Sequence, residues 1–149
     1  MRALLALLSV IAMFVASSGD ATGGAAETDP PLPPNITIVA PADDVSPAHV
    51  LFSGMWRAKW DGVLDHILVV EEVDTKGATV VYATGIAPEW GINKGQIRAE
   101  FAADQLVVRF PRRLLRDQIT VIYQVQGDTL VATYERGRTI ARAVMRRIR

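Results

Sequence analysis

The chain has 149 residues, no cysteine, and 16 basic against 16 acidic side chains. The lack of Cys excludes a disulfide framework, a thiolate metal site, a thiol nucleophile and a lipid-modified N-terminal Cys. A balanced charge demands neither nucleic acid nor an acidic surface as partner, and the length is that of one domain.

In chain order, Met1-Arg2 supplies a positive start, and Ala3 to Ala16 (ALLALLSVIAMFVA) is apolar except for Ser9. At about 1.5 Å per residue this run is too short for a hydrocarbon core of about 30 Å. Small residues follow at once (Ala16-Ser17-Ser18-Gly19, then Ala21). Residues 1–21 therefore read as a secretory signal peptide, which predicts a bacterial periplasmic or secreted protein with no transmembrane span after cleavage. Residues 22–50 read as a flexible leader rich in Pro, Ala and Gly, centred on Pro30-Pro31-Leu32-Pro33-Pro34 and leaning to polyproline II. Its apolar exception, Ile36 to Val39, could add an edge strand or plug an opening in a barrel. Asn35-Ile36-Thr37 is a glycosylation sequon, which matters only in a host that glycosylates such sites.

Residues 51–149 form the predicted domain, and from Phe52 the hydrophobic period is two. Trp56, Ala58 and Trp60 alternate with Arg57, Lys59 and Asp61; Gly62 is the hinge to Val63–Val73, which is apolar on both faces until Glu71-Glu72. Further strands are expected at Thr79–Gly85, Gln96–Phe101, Leu106–Phe110, Gln118–Gln126, Leu130–Glu135 and Thr139–Arg147. Eight strands at hairpin spacing predict an all-β, up-and-down antiparallel barrel, because closure removes the edges a flat sheet would expose; a β-sandwich is the alternative. Small side chains at Thr79, Val81, Ala83, Gly85, Ala132, Ala141 and Ala143 would leave room for a ligand if they faced inward.

Gly54-Met55-Trp56 at the start of the first strand resembles the G-x-W signature of calycin-type barrels (lipocalins, avidins and fatty-acid-binding proteins). That resemblance implies a Trp packed at the closed end with a cation from the last strand across it, here Arg142 or Arg146. The blocks Trp60-Asp61-Gly62-Val63-Leu64-Asp65-His66, Val80-Val81-Tyr82-Ala83, Ala87-Pro88-Glu89-Trp90 and Arg142 to Arg147 also resemble a small barrel-like module of exported bacterial proteins, associated with chains that carry an α/β-hydrolase domain. No G-x-S-x-G elbow is present, so hydrolase activity does not come with the likeness.

Four side chains are the ligand-binding candidates: Trp90, in the long loop Ile86–Gly95, with Tyr82, His66 and Trp60. Asp65-His66 is the one place for a titratable base, yet strand neighbours point to opposite faces, so Asp61 or an acid on another strand would have to orient the ring. With His49 as the only other imidazole, no metal site is expected, and no cofactor either. Ten of the 16 basic residues, all Arg, lie from Gln105 onward, against three acids. Among them Arg112, Arg113 and Arg116, on one connection, could grip an anion or an anionic lipid surface. The expected function is a non-enzymatic exported module holding a small, mainly apolar molecule in the barrel. The alternatives are an accessory domain with a filled core, binding a cell-envelope partner or polyanion through its surface, and a hydrolase or isomerase using His66.

Overall fold

The computed structural model describes residues 29–85, 96–110 and 117–148. The signal-peptide segment, the Trp90 loop and the Arg112, Arg113 and Arg116 connection lie outside the described residues.

Eight strands close into one barrel of consecutive antiparallel pairs: β1 Gly54–Trp60, β2 Leu64–Val73, β3 Gly77–Thr84, β4 Gln96–Ala102, β5 Gln105–Arg109, β6 Ile119–Gln126, β7 Thr129–Arg136 and β8 Thr139–Arg147. This is the up-and-down barrel that the alternation predicts. Closure runs through Trp56 opposite Arg147 and Arg57 opposite Arg146, with Ile148 N–H donating to the Met55 carbonyl and Asp61 N–H to the Arg142 carbonyl. Asp61 (φ 46°) and Gly62 (φ 74°) make the β1–β2 turn in the left-handed region, which Gly adopts freely and Asp tolerates. At Gly77 an added Cβ would collide with the Ala99 carbonyl oxygen, so the β3–β4 pair approaches too closely there for any side chain.

Alternation sorts each strand into an inward and an outward row. The inward row fills the axis with Trp56, Trp60, Leu68, Tyr82, Leu106, Tyr123, Leu130 and Met145, each 2 % exposed or less. Ala78, Ala99, Ala132, Ala141 and Ala143 are buried among them, so small side chains make room for large rings across the barrel. On β3 the small side chains Val81 and Ala83 do not face inward. Ala78, Val80 and Tyr82 belong to the interior cluster, while Val81 and Ala83 belong to a second cluster on the outer wall.

That outer cluster explains why β2 and β3 are apolar on both faces. Met55, Ile67, Val69, Val81 and Ala83 are covered by Leu32, Ile36 and Ile38 from the leader. Ile36 to Val39 thus neither adds an edge strand nor plugs the barrel; it is a strap across the outside of β1–β3. Its fastening is a β-bulge in β2, where the register shifts between Val70 and Glu72. The extra residue, Glu71, accepts the Val39 N–H on its carbonyl at 2.7 Å and the Thr37 N–H on its carboxylate at 3.1 Å. Gln96 donates to the other carboxylate oxygen at 2.7 Å. A bulge re-aims one side chain, and here it aims a carboxylate at the strap's backbone.

A single helical turn, α1 Pro47–Val50, capped by Ser46, leads into β1. His49 stacks on Phe101 at 3.6 Å and approaches the Ala103 carbonyl at 3.0 Å, which pins the turn over the β4–β5 end of the barrel.

Candidate functional site

Three of the four ligand-binding candidates meet inside the barrel, toward the end where residues 85–95 and 110–118 join strands. His66 is fully buried; its ring lies 5.0 Å from Trp60 and 4.5 Å from Tyr82, centroid to centroid. Tyr134 meets Trp60 edge-on at 6.0 Å, and Phe110 meets Tyr82 edge-on at 5.0 Å. Such edge and offset contacts suit the quadrupoles of the rings. Trp90, the fourth candidate, lies outside the described residues.

Both nitrogens of His66 are engaged. Nδ1 lies 2.9 Å from the Ala83 carbonyl oxygen, which only accepts, so Nδ1 carries the proton. Nε2 lies 3.0 Å from the Tyr123 hydroxyl and, in the neutral ring, accepts its proton. Burial lowers the His66 pKa to about 4, with the Ala83 carbonyl pulling weakly the other way. The imidazole is therefore neutral at neutral pH. Burial likewise pushes the Tyr123 hydroxyl well above its usual range, with Tyr82 adding to the shift. Tyr82 is raised by burial first and by Tyr134 second, against a hydrogen bond from Trp60.

The acids do not complete a catalytic unit. Asp65 faces outward and pairs with Lys59 at 3.3 Å. Asp61 accepts the backbone N–H of Arg142 at 3.0 Å, fastening the β1–β8 seam rather than the imidazole. The sequence reading missed Tyr123, Tyr134, Phe110 and Thr84, the last buried directly opposite His66 in the β2–β3 register; a Thr two residues after Tyr82 on the same inward row was the available signal for it. Among the described residues no group of three or more His, Cys, Asp and Glu could hold a metal ion.

At the opposite end the expected Trp–cation pair is present with a different partner. The Arg147 guanidinium lies 4.1 Å from the Trp56 ring centroid. It also donates to the Leu51 carbonyl at 2.7 Å and to the Ser53 carbonyl, while Trp56 Nε1 donates to the Phe52 carbonyl at 2.9 Å. Arg142 and Arg146 cannot fill this place, because the inward row of β8 is odd-numbered (Ala141, Ala143, Met145) and both arginines are on the outward row. Gly54, the first residue of the motif, is buried with φ 119°, a backbone conformation that L side chains rarely adopt. Beside Trp56 a half-open groove of about 510 Å³ is lined by Leu51, Val125, Asp128, Arg146 and Arg147 among others.

The outer wall has two characters. Over β1–β3 the strap covers it, and Arg57 ion-pairs with Asp29. On β8, Ile140 and Val144 stand 60 % and 63 % exposed on either side of Arg142, and Arg146 follows. No helix among the described residues is long and apolar enough to cross a membrane. No protein-family model, curated protein or solved structure matches the chain.

Proposed function

We propose that the chain is an exported, non-enzymatic binding module that acts through its outer surface. The observation that carries this reading is the filled axis: Trp56, Trp60, Tyr82 and Tyr123 occupy the interior, and the one interior imidazole has both nitrogens engaged. Among the described residues the rings of His66, Trp60 and Tyr82, each 2 % exposed or less and with centroids 4.5 and 5.0 Å from that of His66, occupy the axis at that end. Export is supported by the apolar run Ala3–Ala16 with its small-residue follow-on.

Native mass spectrometry of the protein, purified gently from its own exported compartment, tests the reading. A bare chain is the expected result. A reproducible extra mass that vanishes on denaturation would overturn it in favour of the second reading, a small apolar molecule held in the barrel. That alternative is favoured by one observation, the Trp60, His66 and Tyr82 cluster at the end with the two longest connections. An apolar probe that quenches Trp fluorescence in wild type and not in Tyr82→Ala would support it. An enzyme built on His66 is disfavoured by the engaged nitrogens, and His66→Gln leaving any discovered turnover intact would remove it.

A further inference from the structure

We propose that the outer ridge of β8 docks on an anionic phospholipid surface, an assignment that rests on the surface-acting reading above. From Ile140 to Ile148 the outward positions read Ile140, Arg142, Val144, Arg146, Ile148. The three apolar members are 60 %, 63 % and 50 % exposed. Successive outward side chains on a strand stand about 6.7 Å apart, so apolar tips and guanidinium forks alternate along one line. Val63, 82 % exposed, adds an apolar side chain in the β1–β2 turn, which Asp61 fastens to Arg142.

The strap covers the other apolar outer wall, and among the described residues nothing packs over this one. The charges on it are also uncommitted. Described ion pairs use Arg57, Lys59, Arg98, Arg109 and Arg136, and none uses Arg138, Arg142 or Arg146. On the outward rows of β7 and β8 the one carboxylate is Glu135, opposite Ile140.

The partner's chemistry follows by elimination. β8 is paired with β7 on one side and β1 on the other, so no incoming strand can bond to its backbone; the partner meets side chains only. A second copy packed through the same ridge about a two-fold axis would bring four guanidiniums together, Arg142 and Arg146 from each copy, on rows whose one carboxylate is Glu135. A soluble polyanion would satisfy the arginines and leave Ile140, Val144 and Ile148 in water. A folded protein partner needs about 800 Å² from each side, and a convex ridge one strand wide does not offer it. A lipid interface conforms to a convex ridge. Its phosphates take the bidentate guanidinium forks while the Ile and Val tips enter the boundary between headgroups and acyl chains.

The test is co-sedimentation of the exported protein, its N-terminus read by mass spectrometry, with phosphatidylcholine vesicles and with phosphatidylcholine–phosphatidylglycerol vesicles. Any apolar N-terminal residues still present are common to wild type and variants. The protein is expected to bind the anionic vesicles at least about tenfold better than the neutral ones, and R142E/R146E to lower that binding by about tenfold or more, since each basic residue near the surface contributes about one such step or slightly less. I140S/V144S is expected to weaken it at unchanged charge, and R142Q/R146Q gives the same comparison should the charge reversal fail to fold. Equal binding to both vesicle types, no binding to either, or anionic binding that survives R142E/R146E and R142Q/R146Q with an unchanged melting temperature would each overturn the assignment. So would a soluble protein partner lost in R142E/R146E without any vesicle binding. These failures leave a bare, filled barrel intact, whereas a native mass spectrum carrying a ligand overturns the surface-acting reading itself.

Discussion

At His66 a proton would enter a dry, ring-lined site whose two hydrogen bonds are already made, and this has a consequence for stability. The folded-state pKa is about 4 against 6.5 for the free side chain. Between those values the unfolded chain binds the proton and the folded chain does not, so stability is full above about pH 6.5 and falls as the pH drops toward 4. At 1.36 kcal/mol per unit, the loss from this group is on the order of 3 kcal/mol. Urea titrations across that range check it: His66→Gln is expected to be less stable at neutral pH yet to show a flatter dependence, and an equal slope in both proteins would reject the assignment. Tyr123→Phe removes the one donor to Nε2 and leaves a buried acceptor unmet, with an expected cost of about 1–3 kcal/mol. At the other end the arginines separate by facing. Arg147→Ala loses the contact with Trp56 and two carbonyl acceptors, and should cost about 1–3 kcal/mol. Arg142→Ala and Arg146→Ala, on the outward row, should stay within about 0.5 kcal/mol of wild type by thermal unfolding.

The strap and the bulge that holds it form the element whose role was partly legible in sequence. Strands such as Trp56 to Trp60 were readable because one face is wet and the other dry, which prints as strict alternation. β2 and β3 broke that alternation with Ile67 to Val70 and Val80 to Ala83, a pattern that belongs to sheets covered on both sides. The cover itself, Leu32, Ile36 and Ile38, was present but interrupted by Pro33 and Pro34, and no local rule says where an extended segment without its own hydrogen-bond ladder will land. The bulge at Glu71 was hidden for a related reason: one inserted residue changes the parity of everything after it, and the sequence records the insertion only as Glu71-Glu72. Glu71→Ala should therefore release the strap. The Thr37 and Val39 amides are expected to exchange faster with solvent, with global stability lower by about 1–3 kcal/mol as the Gln96 amide also loses its acceptor. Unchanged protection at Thr37 would show that the apolar contacts of Ile36 and Ile38 hold the strap without the carboxylate.

For the molecule as a whole, the seam that closes the barrel is bonded more sparsely than the β6–β7–β8 wall. β6 and β7 are paired along eight consecutive positions, and β7 and β8 along eight more. β1 and β8 share a ladder at Trp56–Arg147 and Arg57–Arg146, continued by the Ile148 N–H to the Met55 carbonyl, then meet again where Asp61 bonds to Arg142 through backbone and carboxylate. A cooperative sheet opens where the fewest bonds must break together, so the amides of β1 facing β8 should exchange through a local opening of lower free energy than those of β6 and β7. Asp61 is the residue that tests this, since its carboxylate is the side-chain fastener of the seam and its φ of 46° is tolerated by Asp and Asn but strained for Ala. Asp61→Asn keeps the conformation and an acceptor oxygen and should leave exchange at Arg142 close to wild type. Asp61→Ala loses both and should speed Arg142 exchange by about tenfold or more, at about 1–2 kcal/mol in stability, while β6–β7 protection falls only by the global loss. If Arg142 and the β6–β7 amides change by the same factor in Asp61→Ala, the barrel opens as one unit and the seam is no weaker than its walls.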